Sequence, residues 1–523
     1  MFSEEAGIQA AMFETYNAAS DLIDRNLPRR ADKVAFVDDA GSYTFAELSE
    51  RVDRFAGHLG VLGIGQEARI LLCLEDGIDF VTAALGAIKA GVVPVMVNPL
   101  LTSDDYAYLL DDCRAVALVV SAAPWIALSP IRADRTFLKH VVFAGEGAPP
   151  GATPMAEALA AAPPRRHAAP TRADEPCLWQ YSSGSTGRPK GTIHLHGSIA
   201  ALTELYPRQI LALNEADVTF SAAKLFFGYG FGNGLIFPLA TGATAILMAE
   251  RPTPAAVFAR LRAHRPSVFY GVPTLYATML ASPEAPIAEM SALRVCTSAG
   301  EALPADLGER WRARFGVDIL DGIGSTEMFH IFLSNRPGDV RHGTTGRPLD
   351  GFELALLDET GQPVPHGEVG ELHIKGPTAA SAYWARQEKS RETFLGAWTR
   401  SGDKFRQDAD GRYVYCGRSD DMLKVGGIYV SPFEVESALI GHPDVAEAAV
   451  VGWRDDADLV KPKAFVVLAG ATAGRDMAAE LKAHVKSRLA PYKYPRWFEF
   501  VDALPKTATG KIERYKLRQR PPA

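Results

Sequence analysis

Through the first half of the 523-residue chain, short aliphatic runs alternate with alanine-rich stretches of helical length. ARILLCL (68–74) is followed by DFVTAALGAIKAGV (79–92), VPVMVN (93–98), TSDDYAYLLDDC (102–113) and AVALVVSA (115–122). Strands separated by helices can pair only through crossovers, which makes βαβ units and a parallel sheet buried on both faces. The alternation resumes at TAILM (244–248), AAVFARLRAHRP (255–266) and SVFYGVP (267–273). The fold class is therefore α/β, with layered βαβ subdomains and material for roughly three domain-sized units. The Ala-, Pro- and Arg-rich segment from about 145 to 176 reads as a surface connection.

From about 340 to 417 short strands are separated by Gly and Asp turns, as in FELALLDETGQPVPHGEVGELHIKG, which predicts a small β-rich subdomain. Composition shifts again at GRSDD (417–421), and a compact α+β pattern follows. The expected division is a body over 1–419 and a smaller unit over 420–523. In the latter, Ser431 to Glu434 predicts a capping box with Pro432 at the first helical position.

A net charge of −7 is mild for this length and excludes a global field for nucleic acid or an anionic membrane. Five scattered cysteines in no CxxC or Cys/His spacing argue against structural zinc and a disulfide framework. The acidic start lacks a secretory apolar core, and no run of about 20 apolar residues suggests a membrane span. A cytoplasmic protein is expected.

Chemistry concentrates at YSSGSTGRPKG (181–191). Glycines allow close backbone approach, and the hydroxyls of Ser182, Ser183, Ser185 and Thr186 with exposed N–H groups can surround anionic oxygens. Gly184 and Gly187 shape the loop, and Lys190 supplies a point charge. The spacing is not that of a GxxxxGK[ST] loop, which excludes an ordinary P-loop kinase or ATPase. Three further stretches bear polar groups on glycine turns: DGIGSTEM (321–328), WTRSGD (398–403) and PKTATGKI (505–512). A carboxylate such as Glu327 beside a polyphosphate would repel it unless a cation lay between, so Glu327 is a candidate Mg²⁺ ligand. Asp403 can accept two hydrogen bonds from a ribose diol.

STGRPKG, followed in order by GSTE, SGD and TGK, resembles the adenylate-forming superfamily of acyl-CoA synthetases, adenylation domains and luciferases. Along almost the whole chain, from YTFAEL (43–48) to PKTATGK, the resemblance is to benzoate-CoA ligases and related aryl-CoA ligases. It implies ATP, Mg²⁺ and coenzyme A, with an aroyl-AMP intermediate and a CoA thioester product. It also implies that Thr326 touches the α-phosphate, that Arg418 contacts the nucleotide, and that Lys511 bridges the carboxylate and α-phosphate. Gly300, Glu301, Asp321, Gly322 and Ile323 fall at further ATP-binding positions, Asp420 at the hinge, and Gly426 and Gly427 at the CoA tunnel. Phe227, Gly228, Tyr229, Ala299, Gly300, Gly324, His330 and Ile331 would line a flat slot for an aromatic acid. The absent methyl at Gly228 is expected to leave room for a ring substituent, and His330 to form a wall or a hydrogen-bond partner. A carrier-protein loader and a silent nucleotide sensor are the rival readings, and a homodimer stays open.

Overall fold

The computed structural model describes residues 15–182, 188–285, 290, 292–419, 421–425, 428–455, 459–470, 476–490, 492–506 and 512–519. Two large sheets dominate. The first has eight strands, ordered Ala382–Tyr383, Lys190–Leu195, Pro176–Ser182, Val93–Met96, Arg69–Cys73, Ala117–Val120, His140–Phe143 and Thr153–Pro154. Its first three strands run antiparallel to one another and the rest are parallel. The second has nine, ordered Arg347–Pro348, Ile331–Ser334, Ile319–Gly324, Val295–Ser298, Val268–Gly271, Val218–Ser221, Thr244–Ile246, Val34–Val37 and Ser42–Thr44.

Side-chain alternation explains why the strands read as continuous apolar runs. Ile70 and Leu72 face a core that also takes Tyr270 and Leu320 from the second sheet, with Phe55, Leu85 and Leu235 from helices. Leu71 and Cys73 face the opposite way, onto Tyr106, Leu109 and Leu118. The outer face of the second sheet is covered separately, with Phe269, Cys296 and Ile319 packed near Trp311. Sheets covered on both sides need apolar residues at every position. Helix starts follow local chemistry: Thr44–Glu47 and Thr102–Asp105 form reciprocal capping boxes at the helices Phe45–Val61 and Ser103–Cys113.

Two local expectations, the bare connection at 145–176 and the capping box at Ser431, are corrected. The segment 145–176 is no bare connection: it contains the helix Met155–Ala161, which buries Met155, Ala158 and Leu159 at i, i+3, i+4 spacing. The five-stranded antiparallel sheet of the β-rich region spans Glu353–Leu357 to Tyr413–Arg418, while Arg347–Pro348 still belongs to the nine-stranded sheet. At Ser431 only half of the capping box forms. Its hydroxyl accepts from the Glu434 N–H at 3.1 Å, but the Glu434 carboxylate is taken by Lys493 Nζ at 2.6 and 2.7 Å.

Beyond Arg418 come a hairpin, Leu423–Val425 with Ile428–Val430, and a three-stranded sheet of Val445–Arg454, Val460–Leu468 and Trp497–Phe500. Their core includes Val435, Leu439, Val450, Val466 and Leu481. Glu436 is buried there, bound by Arg514 at 2.8 and 3.0 Å and by the Val450 N–H at 2.7 Å. All five cysteines are free and buried. Among the described residues, no helix is long and apolar enough to cross a membrane.

Candidate active site

The glycine-rich loop hangs between two paired strands. Ser182 closes Pro176–Ser182, Lys190 opens Lys190–Leu195, and the two residues are direct antiparallel partners. Ser183, Gly184, Ser185, Thr186 and Gly187 lie outside the described residues, as do Lys511, Asp420, Gly426 and Gly427. The base of the loop is held through Asp112. Its carboxylate accepts from the Tyr181 hydroxyl (2.8 Å) and Arg386 (3.0 Å), and its carbonyl accepts from the Trp384 indole (2.8 Å). The Tyr108 hydroxyl donates to the Pro189 carbonyl at 2.8 Å.

The strand Ile319–Gly324 runs into a single 3₁₀ turn, Thr326–Met328, capped by the Ser325 hydroxyl. The chain then reverses at Phe329, whose φ of 66° and ψ of −53° lie in a region bulky residues rarely occupy. The His330 N–H donates to the Met328 carbonyl at 2.8 Å and closes a strained γ-turn. Strain of this kind clusters at functional sites and persists where surrounding packing enforces it. One hairpin thereby places Thr326 and Glu327 beside His330 and Ile331.

A segment that the motif analysis missed grips this turn. The Thr378 hydroxyl donates to the Met328 carbonyl, and the Ala380 N–H to the Glu327 carbonyl, both at 2.8 Å. The buried Tyr383 hydroxyl donates to Glu327 Oε1 at 2.7 Å, and Lys190 Nζ stands 4.5 Å from the centre of the Tyr383 ring. The only sequence signal was the aromatic pair Tyr383-Trp384 after a small-residue run. Burial lowers the Lys190 ammonium pKa; Glu327 opposes that shift, while Lys389 and Arg418 reinforce it. Lys190 and Glu327 therefore meet at opposite parts of one tyrosine. Asp403 and Arg418 are cross-strand partners in the five-stranded sheet, 3.3 Å apart, and Gly402, just before Asp403, has φ +74°.

Most slot residues come from the carboxyl ends of parallel strands and from one helix, the position where open α/β sheets bind ligands, while His330 and Ile331 come from the start of the antiparallel strand Ile331–Ser334. Ala299 and Gly300 follow Val295–Ser298; Ala299 is buried, while Gly300 has φ +92° and open space where a side chain would project. Glu301 lies alongside, half-buried. Phe227 precedes a short helical turn, Gly228–Phe231, that passes into a π-helical turn, Gly232–Ile236. Such widened turns recur at functional sites. The Tyr229 hydroxyl and Thr297 Oγ1 are 2.6 Å apart, and its ring lies 5.6 Å from His330. His330 is packed edge-on to Phe237 at 4.7 Å, and burial pushes its pKa down to about 3, so the ring is neutral. Its Nε2 is 3.3 Å from the Tyr229 carbonyl, and Nδ1 has no partner among the described residues.

Two glycines prove to be demanded by backbone. A Cβ on Gly228 would stand 2.3 Å from the Phe329 carbonyl oxygen and 3.1 Å from Gln180 Oε1. A Cβ on Gly324 would stand 2.5 Å from the His330 carbonyl oxygen. The expected spare room for a ring substituent at Gly228 is thus absent: the strained turn fills it. Ile331 presses instead on Gly322, its Cδ1 3.1 Å from the Cβ position there. Ile323 pairs with Leu333 across the hairpin. Asp321 is buried with no partner for Oδ1 among the described residues, and burial drives its carboxyl pKa well above the usual range.

Comparison with known proteins follows the same lines. The AMP-binding enzyme family profile matches residues 23–384, and the AMP-binding enzyme C-terminal domain profile matches 434–511. The chain is 60% identical to a benzoate–CoA ligase of Thauera aromatica over 97% of its length and 96% of the relative's. It is 48% identical to a 4-hydroxybenzoate–CoA/benzoate–CoA ligase of Rhodopseudomonas palustris, over 96% and 94%. The crystal structure of a benzoate CoA ligase from Burkholderia xenovorans LB400 aligns at TM-score 0.90 and 55% identity, covering 96% of this chain and all of that one. An anthranilate CoA ligase in complex with anthranoyl-AMP aligns at TM-score 0.93 and 44% identity, over 96% and 97%. The chain belongs to the AMP-binding enzyme family, the adenylate-forming superfamily that its motifs resemble.

Proposed function

We propose that this protein is an ATP-dependent aryl-CoA ligase that converts benzoate or a simple substituted benzoate to its CoA thioester and releases AMP and pyrophosphate. The observation that carries the reading is that Lys190 and Glu327 meet at Tyr383, with Glu327 on a hairpin whose next residues bring His330 against Tyr229 in an aromatic slot. The named activities of the 60% and 48% identical relatives support it.

A carboxylate is a poor electrophile, so its oxygen attacks the α-phosphorus of ATP and pyrophosphate leaves. The thiol of CoA then attacks the mixed anhydride, and AMP leaves. Positioning and charge stabilisation carry most of this catalysis. Lys190 and the 182–187 loop hold phosphate oxygens, Thr326 meets the α-phosphate, and Asp403 takes the ribose diol with Arg418 beside it. Gly300, Glu301, Asp321, Gly322 and Ile323 frame the nucleotide. Phe227, Gly228, Tyr229, Ala299, Gly324, His330 and Ile331 frame the ring. Among the described residues no cluster of three potential metal-binding side chains exists. A single carboxylate, Glu327, suits Mg²⁺, which keeps several waters and is otherwise bound by substrate phosphates. The ion would neutralise phosphate charge there.

The body is assigned to 1–419 and a mobile unit to 420–523. Asp420 is the hinge, Lys511 supplies the charge for adenylation, and Gly426 and Gly427 line the CoA tunnel. Both surfaces serve one site in turn, which requires rotation. We place the protein in the cytoplasm.

The test is AMP release from ATP and Mg²⁺ with benzoate, 4-hydroxybenzoate, 2-aminobenzoate, acetate or a medium-chain fatty acid, each with and without CoA. CoA-dependent release confined to one or two aromatic acids is expected. Turnover of the fatty acid would overturn the slot assignment, and CoA-independent turnover would favour a carrier-protein acceptor.

A further inference from the structure

Two opposite charges assigned to different tasks, Lys190 on the phosphates and Glu327 on the metal, face each other across one tyrosine. Tyr383 binds each with a different part: its hydroxyl donates to Glu327 Oε1 at 2.7 Å, and its ring carries the Lys190 ammonium at 4.5 Å. The two charges attract, since Glu327 raises the Lys190 pKa against burial, yet among the described residues no ion pair joins them. Tyr383 is 4% exposed and fixed from both sides. It pairs with Thr192 on the strand that Lys190 opens, and the Trp384 N–H donates to the Gly191 carbonyl at 2.8 Å. On the other side, Thr378 and Ala380 hold the main chain of the Glu327 turn.

We infer that Tyr383 is a positioning residue that couples the two nucleotide motifs. It aims the Glu327 carboxylate at the metal and keeps Lys190 from collapsing onto it, so that both charges stay available for a magnesium–nucleotide complex. The inference rests on the assignment of Glu327 as metal ligand. Hydrogen-bonded partners of a metal ligand commonly govern metal affinity by roughly 10- to 100-fold. Removing the hydroxyl frees Glu327 to turn toward Lys190, and removing the ring as well lets the two pair directly.

The experiment measures ATP binding calorimetrically across a magnesium titration for wild type, Tyr383→Phe and Tyr383→Leu, with a non-hydrolysable benzoyl-adenylate analogue as control. That analogue carries no β- or γ-phosphate, so a change confined to the polyphosphate and its metal should spare it. Tyr383→Phe is expected to raise the half-saturating magnesium concentration about tenfold, with metal-free ATP binding and analogue binding within about twofold of wild type. Tyr383→Leu is expected to weaken metal-free ATP binding several-fold as well, again with the analogue spared. An unchanged magnesium requirement in Tyr383→Phe, or analogue binding that falls in step with ATP, overturns the inference alone. Wild-type ATP binding indifferent to magnesium overturns the Glu327 assignment and this inference together.

Discussion

Acid should destabilise this protein through imidazoles that nothing solvates, and His194 gives the sharpest case. It sits on the strand after the glycine-rich loop, fully buried and stacked 4.3 Å from Phe329, and burial outweighs the contact of its ring with the Thr326 backbone. Burial pushes its pKa down to about 3. The unfolded chain therefore binds a proton on this ring from about pH 6.5 downward, while the native state stays neutral until near pH 3. Stability must fall as pH falls through that window. Between pH 7 and pH 5 the linkage amounts to about 2 kcal/mol for this one ring. His194→Leu is close in volume, so its cost at neutral pH is held to under about 1.5 kcal/mol. The assay is the urea midpoint by tryptophan fluorescence at both pH values. Wild type should lose about 2 kcal/mol more than the variant on acidification. Equal losses would refute the reasoning, because the ring would then be hydrated or partnered.

Gly228→Ala drives a methyl against the Phe329 carbonyl, and overpacking costs of about 1–3 kcal/mol predict a loss of roughly tenfold in kcat/KM for the aromatic acid; unchanged kinetics would show that the turn yields freely. Asp403→Ala should raise the KM for ATP by roughly 10- to 100-fold while leaving the KM for the acid within about twofold, from the usual strength of charged hydrogen bonds. Asp76, buried with the Leu225 N–H donating to it at 3.0 Å, has its pKa raised by burial to about 6. The native state here holds the extra proton, so the contribution of this carboxyl to stability should fall as pH rises from about 4 to 6, opposing that of His194, and Asp76→Asn should steepen the loss of stability on acidification in the same urea assay.

The βαβ body was legible because buried parallel strands leave an unmistakable run of apolar residues, as in Ile70–Cys73. The helix Met155–Ala161 was not, because its flanking prolines and arginines mask three buried positions. Motif order located Lys190, Glu327, Asp403 and Arg418, since glycine turns with polar tips are written locally. Tyr383 and Gln180 escaped notice for the opposite reason: nothing in their neighbours along the chain announces what they touch across the fold. Gly228 was misread because a missing methyl looks like empty space until the partner that occupies it, the Phe329 carbonyl, is placed.

The reversal at Phe329 has an evolutionary implication. Thr326, Glu327, His330 and Ile331 issue from one bend, so under the proposed assignment a mutation that reshapes the acid slot from that side also disturbs the residues proposed for the phosphates. New acid preferences should arise more readily at Phe227 and Tyr229 or at Ala299 and Gly300, where the supporting elements are separate from the bend. A library aimed at those four positions should yield more active variants than one of equal size aimed at His330 and Ile331.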